Sequence, residues 1–467
     1  MVPLILPETL FWVFTGTAAF HAAYAWPKAG GLVLLYLFAL IRLAHASTWR
    51  RAFYPGLAVG LLIASVRLSF FWNIFSGGAA ALWLVLAFWT GLFVALARLC
   101  LLRFGGWAAW VLIPALWTGI EYFRSELYYL RFSWLSPAYA LCDPPWQRVV
   151  GWAGAYGAGF LLAATACGCA LVWRRSRLAG AAALAAAAGL LILPALGGER
   201  RPAPAHSRIH VAGVQMEFPT EPEIIARLDS LMSQHADTDL VVLSEYTLTD
   251  QVPDRLKGWC RKSRRYLIAG GKDPAPGGNF YNTAFVVSPN GKVVFHQGKA
   301  RPIQFFKDGL PAPEQRVWNS PWGKLGICIC YDLSYTRVTD RLAKLGAEAL
   351  IVPTMDVADW GESQHRLHAR VAPVRAVEYG LPIFRLASSG ISQLVDAAGR
   401  QLATAPCPGE GAMLDGTLEL RGPRRVPLDR GLALGSVAVT GMLILWFLTR
   451  LSQKNRLARG AGMFHSA

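Results

Sequence analysis

Charge is scarce in this chain. Asp, Glu, Lys and Arg together make up only 16% of its 467 residues, too few to coat a soluble protein of this length. Acidic residues are the scarcer sign, 29 against 46 Lys and Arg, which leaves a formal net charge of +17. That excess does not require nucleic acid, and none is expected. Much of it lies in short arginine runs between apolar stretches, where it reads as membrane topology and as attraction to anionic lipid. Cysteine is sparse and scattered, eight in all. Cys100, Cys167 and Cys169 lie in apolar runs, while Cys142 and Cys407 stand alone near prolines, which argues against a disulfide framework. Cys167 and Cys169 have no histidine or further cysteine at ligand spacing, so no metal site is expected. The first apolar stretch lacks a basic leader and reads as a span rather than a cleaved signal peptide.

Apolar side chains are abundant: 54% of the chain, with 18 tryptophans. Apolar runs recur at 7–25, 30–46, 53–72, 79–102, 107–120, 149–172 and 178–196, and several approach the ~20 residues that cross a bilayer. One more closes the chain at 431–449. The organisation is therefore a bundle of about seven spans over 1–198, a polar domain over 207–420 and a final span at 431–449. Arg42, Arg50 and Arg51 follow the second run, and Arg98 and Arg103 close the fourth. Arg174, Arg175 and Arg177 follow the sixth, and Arg450, Lys454, Arg456 and Arg459 follow the last. If each run crosses once, all four clusters fall on one face, the cytoplasmic one, and the polar domain falls outside. Arg200, Arg201 and the "RGPRR" at 421–425 are basic on the outer side, where long translocated domains are less sensitive to the rule. A re-entrant short run would reverse the assignment.

Between two spans, "EYFRSELYYLRFSWLSPAY" is aromatic and charged. It reads either as an interfacial loop anchored by Trp134 and its tyrosines or as a lipid-facing cleft that uses Glu121 and Arg124. The segment 207–420 reads as α/β. "RIHVAGVQM", "TDLVVLSEY", "RYLIAGG", "GKLGICICYD" and "AEALIVPTMD" have strand patterns, and "NTAFVVSPNGKVVFHQGK" and "LPIFRLASSGISQLVDAAGR" are hairpins. Helical patterns fall near 220–235, after Thr339 and around 364–379. Glu245, Lys299 and Cys330 lie at or just past strand ends, where α/β sheets build their sites. Together they make chemical sense: a thiol needs a base and a positive neighbour before it attacks a carbonyl. Glu245 can take the proton. Lys299 and the backbone N–H of Tyr331 can stabilise the oxyanion.

In this order and spacing, "VVLSEY", "HQGKARP" and "GICICYD" resemble the Glu, Lys and Cys elements of the nitrilase superfamily. Cys330 is the matching cysteine, and Cys328, two residues earlier, is expected to be packing. With spans on both sides, the chain resembles the bacterial apolipoprotein N-acyltransferases along nearly its whole length. The "EYFRSELYYLRFSWLSPAY", "DWGESQH" and "RAVEYGLPIFRLASSGISQLVDAAGR" stretches add to the likeness. Two departures stand out. Ser244 precedes the base where the family has proline, and Lys307 stands where it carries a second glutamate. Asp308 and Glu314 are the nearby carboxylates that could substitute.

The resemblance implies an α-β-β-α sandwich beside a multi-pass helical membrane domain of about eight spans, with no cofactor. It implies transfer of a fatty acyl chain, through a thioester on Cys330, from a phosphatidylethanolamine-like phospholipid to the α-amine of a diacylglyceryl-cysteine lipoprotein. The place would be the bacterial inner membrane, with the catalytic domain on the periplasmic side. Trp134, Tyr139 and Trp360 are candidates to line the lipid route, or else are anchors and core. Three other readings stay open: a membrane-anchored C–N hydrolase, an acyltransferase with another acceptor, and an inactive lipoprotein-binding scaffold.

Overall fold

The computed structural model describes residues 5–196, 204–422 and 426–463; Arg200, Arg201, Arg424 and Arg425 lie outside the described residues. The first part is helical: α1 (Leu6–Ala25), α2 (Val33–Leu43), α3 (Trp49–Arg67), α4 (Phe70–Phe75), α5 (Gly78–Arg103), α6 (Gly106–Tyr122), α7 (Pro137–Ala140), α8 (Gln147–Ala153), α9 (Ala155–Trp173) and α10 (Arg177–Leu196). All the apolar runs are thus helical. Among the described residues, three helices are long and apolar enough to cross a membrane: Gly78–Arg103, Ala155–Trp173 and Asp429–Arg450. The helices approach closely through small residues, as membrane helices do. A Cβ on Gly60 of α3 would sit 2.7 Å from the Cα of Ala87 in α5.

The second part contains β1 (Ser207–Val214), α11 (Glu221–Gln234), β2 (Leu240–Val242), α12 (Asp254–Ser263), β3 (Tyr266–Ala275), β4 (Asn279–Val287), β5 (Val293–Gly298), β6 (Val317–Ser320), β7 (Gly323–Ile327), α13 (Thr336–Lys344), β8 (Ala349–Thr354), α14 (Glu362–Ala369), α15 (Val371–Tyr379), β9 (Ile383–Ala387), β10 (Ser392–Val395), β11 (Gln401–Ala405) and β12 (Met413–Leu420). They form two six-stranded sheets, ordered β12-β1-β2-β3-β4-β5 and β11-β10-β9-β8-β7-β6. The three parallel strands of each sheet are β1-β2-β3 and β7-β8-β9. Alternation sorts the side chains. Val241, Leu267 and Ala269 pack outward with Leu228, Leu256 and Trp259 of α11 and α12. Leu240, Val242 and Ile268 share the inner core with Ile351, Phe384 and Leu386. This is the α-β-β-α sandwich that the resemblance implies.

Two local expectations change. The helix read around 364–379 is two helices that meet at Arg370. Pro373 lacks an amide and its ring would press on the carbonyl of residue 369, so it is tolerated only in the first turn of a new helix. The 121–148 segment is not a surface loop but the joint between the two parts. After α6 a π turn (Phe123–Leu127) brings in Glu126, whose carboxylate accepts from the Thr336 N–H at 2.8 Å and the Thr336 hydroxyl at 2.7 Å. Trp134 Nε1 donates to Ser334 at 2.9 Å. The chain then returns: α16 (Asp429–Met463) packs on α6 and α9, and Asp429 accepts the N–H groups of Tyr156 and Gly157 at the start of α9.

Candidate active site

Two turns of backbone bring the reactive groups together. β7 stops at Ile327, and Cys330 opens a short 3-10 turn (Cys330–Ser334) with φ +54°. A non-glycine residue in that region is strained and held by its surroundings. Asp332 supplies much of the hold. Its carboxylate accepts from the amides of Ala300 at 3.0 Å, Arg301 at 2.8 Å and Ile329 at 3.2 Å, which ties the turn to the loop just after Lys299. β2 stops at Val242, short of the strand read through Glu245, and Tyr246 also takes a positive φ of +55°.

Glu245, Lys299 and Cys330 are all buried. Lys299 Nζ lies 2.8 Å from Glu245 Oε1 and 2.7 Å from Asp308 Oδ2. Asn282 on β4 donates to both carboxylates, at 2.6 Å to Glu245 and 2.7 Å to Asp308. Glu245 Oε2 accepts the Met355 N–H at 2.9 Å, and Cys330 Sγ lies 3.7 Å from the Met355 carbonyl. Tyr331, directly after the thiol, is buried and donates its hydroxyl to the Arg131 carbonyl. Its amide sits at the start of the 3-10 turn, where N–H groups lack partners within the turn.

The structure brings Asp308, not Glu314, against Lys299. Glu314 is exposed and pairs with Arg316. Lys307 is exposed. Gly309 makes this possible. At φ +80° it lets the loop close on β4, where a Cβ would sit 2.7 Å from the Phe280 carbonyl.

Two carboxylates on one ammonium separate in charge. Burial raises the Glu245 pKa; Lys299 opposes this and Asp308 adds to it. Burial also works against Asp308, but Lys299 and the Ile303 amide outweigh it and hold that carboxyl below its usual range. Burial disfavours the Lys299 charge, yet the two carboxylates hold it as an ammonium. One carboxylate is thus a fixed counter-ion and the other is tuned toward proton acceptance. The Cys330 thiol is pushed well above the ordinary thiol range by burial and then by Glu245, with Lys299 opposing. The resting sulfur carries its proton.

Cys330 opens onto an apolar cleft. Phe71 and Phe75 of α4, Leu82 and Leu86 of α5, Phe132, Trp134, Phe306 and Trp360 line it. Glu121 and Arg124 do not; they line a separate cavity inside the helical part, with Tyr36 and Thr90. Tyr139 lines neither cavity. It is buried, its hydroxyl 3.0 Å from Arg375, so the route assigned to it is corrected to a joint between α7 and α15. Reading the sequence missed Asn282, Asp332 and the Asp356–His368–Arg385 cluster described below. The Asp two residues after the cysteine was the one local signal available.

An apolipoprotein N-acyltransferase of Sinorhizobium medicae is 30% identical over 195 residues, covering 34% of this chain and 36% of that protein. A deaminated glutathione amidase of Dictyostelium discoideum is 26% identical over 175 residues, covering 33% of this chain and 60% of that protein. The chain thus spans less than two thirds of the length of either relative. The crystal structure of Saccharomyces cerevisiae Nit3, a member of branch 10 of the nitrilase superfamily, superposes with a TM-score of 0.41 at 22% identity, over 46% of this chain and 91% of that one. Residues 13–168 match the family described as apolipoprotein N-acyltransferase N-terminal domain, and residues 210–420 match the carbon-nitrogen hydrolase family. With both halves matched in this order, the chain is an apolipoprotein N-acyltransferase-like protein of the nitrilase superfamily.

Proposed function

We propose that this protein transfers a fatty acyl chain from a membrane phospholipid, through a Cys330 thioester, to the N-terminal amine of a diacylglyceryl-cysteine lipoprotein. One observation carries the reading: the thiol beside the Glu245–Lys299–Asp308 cluster opens into a cleft whose apolar wall comes from α4 and α5 of the helical part. A small amide needs no such wall. A fatty chain does.

In the first half-reaction Cys330 gives its proton to Glu245 and attacks the ester carbonyl of a phosphatidylethanolamine-like donor. Lys299 and the Tyr331 amide stabilise the oxyanion. The C–O bond breaks, the Glu245 proton passes to the leaving oxygen, and lysophospholipid departs. In the second, the acceptor nitrogen attacks the thioester. The C–N bond forms, the C–S bond breaks, and the amine proton returns through Glu245 to the sulfur.

The helical part sits in the bacterial inner membrane in this reading, with the sandwich on the periplasmic side. The basic ends support it. Arg42 at the end of α2 lies 5.9 Å from the Trp173 ring at the end of α9, and Arg98 near the end of α5 bonds the Ala46 carbonyl after α2. The sandwich joins the helices at their other end, near the start of α9.

The test incubates purified full-length protein with phosphatidylethanolamine vesicles and a diacylglyceryl-cysteine peptide. Equal amounts of N-acylated peptide and lysophospholipid are expected. Release of ammonia from short amides, with no lipid product, would instead support the hydrolase reading.

A further inference from the structure

The mechanism above leaves unused a buried polar group that lines the same cleft. Asp356, directly after Met355, is fully buried, and its carboxylate accepts three bonds. Oδ2 takes Arg385 Nη2 at 2.5 Å and Oδ1 takes Gln364 Nε2 at 2.9 Å and His368 Nδ1 at 2.8 Å, while the Ser388 hydroxyl reaches the Asp356 backbone. Arg385 Nη2 also lies 2.9 Å from His368 Nδ1. The Trp134 ring stacks on the imidazole with centroids 4.6 Å apart. Both Gln364 and His368 line the cleft together with Cys330.

Asp356 decides how these two side chains are turned. A carboxylate only accepts, so the Gln364 nitrogen must face it and the Gln364 oxygen must face elsewhere. His368 Nδ1 has the Asp356 carboxylate at 2.8 Å and the Arg385 donor at 2.9 Å; a bare Nδ1 would face the carboxylate lone pairs, so the proton is assigned to Nδ1, which gives the neutral tautomer with a bare Nε2. Gln364 Oε1 and His368 Nε2 are the two atoms left over. Both are buried, and neither has a hydrogen-bond partner among the described residues. Groups in that condition are destabilising unless something donates to them.

We infer that Gln364 Oε1 and His368 Nε2 form the subsite for the acceptor's primary amine. Each accepts one N–H, which leaves the nitrogen lone pair free to attack the thioester on Cys330. A lipid ester has no N–H near its carbonyl and makes no use of these acceptors. The subsite therefore favours an amine with two N–H groups over a secondary amine, which can satisfy only one of the two acceptors. The inference rests on the acyl-transfer reading and adds which residues bind the amine.

The test separates the half-reactions in His368→Gln and Gln364→Leu, made singly in the full-length protein. Loading is followed as the Cys330 adduct formed from phosphatidylethanolamine vesicles. Discharge is followed after adding a diacylglyceryl-cysteine peptide with either a free or an N-methylated α-amine. In both variants the ratio of discharge rate to loading rate is expected to fall about tenfold or more, as when one hydrogen bond is lost, with a higher KM for the peptide. The preference for the free over the N-methylated amine narrows as well. An unchanged ratio in either variant, or loading and discharge that fall in step, would overturn the inference while leaving acyl transfer intact. Wild-type protein that never forms the adduct would instead remove the acyl-transfer reading, and this subsite with it.

Discussion

Asp308 Oδ2 lies 2.7 Å from Lys299 Nζ, so the lysine is shared by two buried carboxylates rather than paired with Glu245 alone. Lys307, the residue beside Asp308, faces solvent. The cation that breaks the family pattern in the sequence is therefore not part of the cluster.

Lys299→Met leaves both carboxylates buried without their counter-ion. Breaking such a group is expected to cost about 3–5 kcal/mol of stability, besides removing the oxyanion partner. Thermal unfolding in detergent measures it; a wild-type melting temperature would contradict the arrangement. Asp308→Asn keeps a polar group beside the ammonium, and its loss is expected to be smaller.

Glu245 raises the Cys330 pKa, so Glu245→Gln is expected to lower it. Alkylation of Cys330 by iodoacetamide, followed against pH, should then reach its plateau at lower pH in the variant than in the wild type, while acyl transfer is lost. An upward shift would mean that Glu245 does not face the thiol.

Much of this was legible beforehand, and the gaps have physical causes. Strand ends and turn residues placed Glu245, Lys299 and Cys330, because apolar runs that stop at a polar residue mark where a sheet ends. Asp308 appeared only as one of two substitutes, since its role depends on a turn at Gly309 that spacing does not reveal. Asn282 and Asp356 lie inside or after runs that read as ordinary strand, and their partners come from distant parts of the chain. The 121–148 segment misled because a stretch rich in tyrosine and tryptophan looks the same at a lipid surface as at a buried joint. Glu126 there bonds Thr336, 210 residues away.

The Asp332 carboxyl is raised to about 6 by burial, against Lys299 and three backbone amides. Between the ordinary aspartate value and that point the folded protein binds a proton that the unfolded chain does not. This group's contribution to stability therefore grows as pH falls through 6. Its contribution to activity runs the other way, because a protonated oxygen no longer accepts from the Lys299 loop. The transfer rate is expected to fall below pH 6 with no matching drop in melting temperature. In Asp332→Asn this acid limb disappears and the rate at pH 7.5 is about tenfold lower, the equivalent of one lost hydrogen bond. An unchanged limb in the variant would assign it elsewhere.

Cys407 is partly exposed, while the other described cysteines are buried. A membrane-impermeant maleimide added to intact spheroplasts is expected to label Cys407, and Cys407→Ser is expected to abolish the label. Labelling only after lysis would put the sandwich on the cytoplasmic side.

The most direct measurement is the intact mass of the purified protein after incubation with phosphatidylethanolamine vesicles and no acceptor. The account expects a gain of one fatty acid less water, mapped to Cys330, sensitive to hydroxylamine and absent in Cys330→Ala. A protein whose mass never changes, or an adduct that persists in Cys330→Ala, would contradict it.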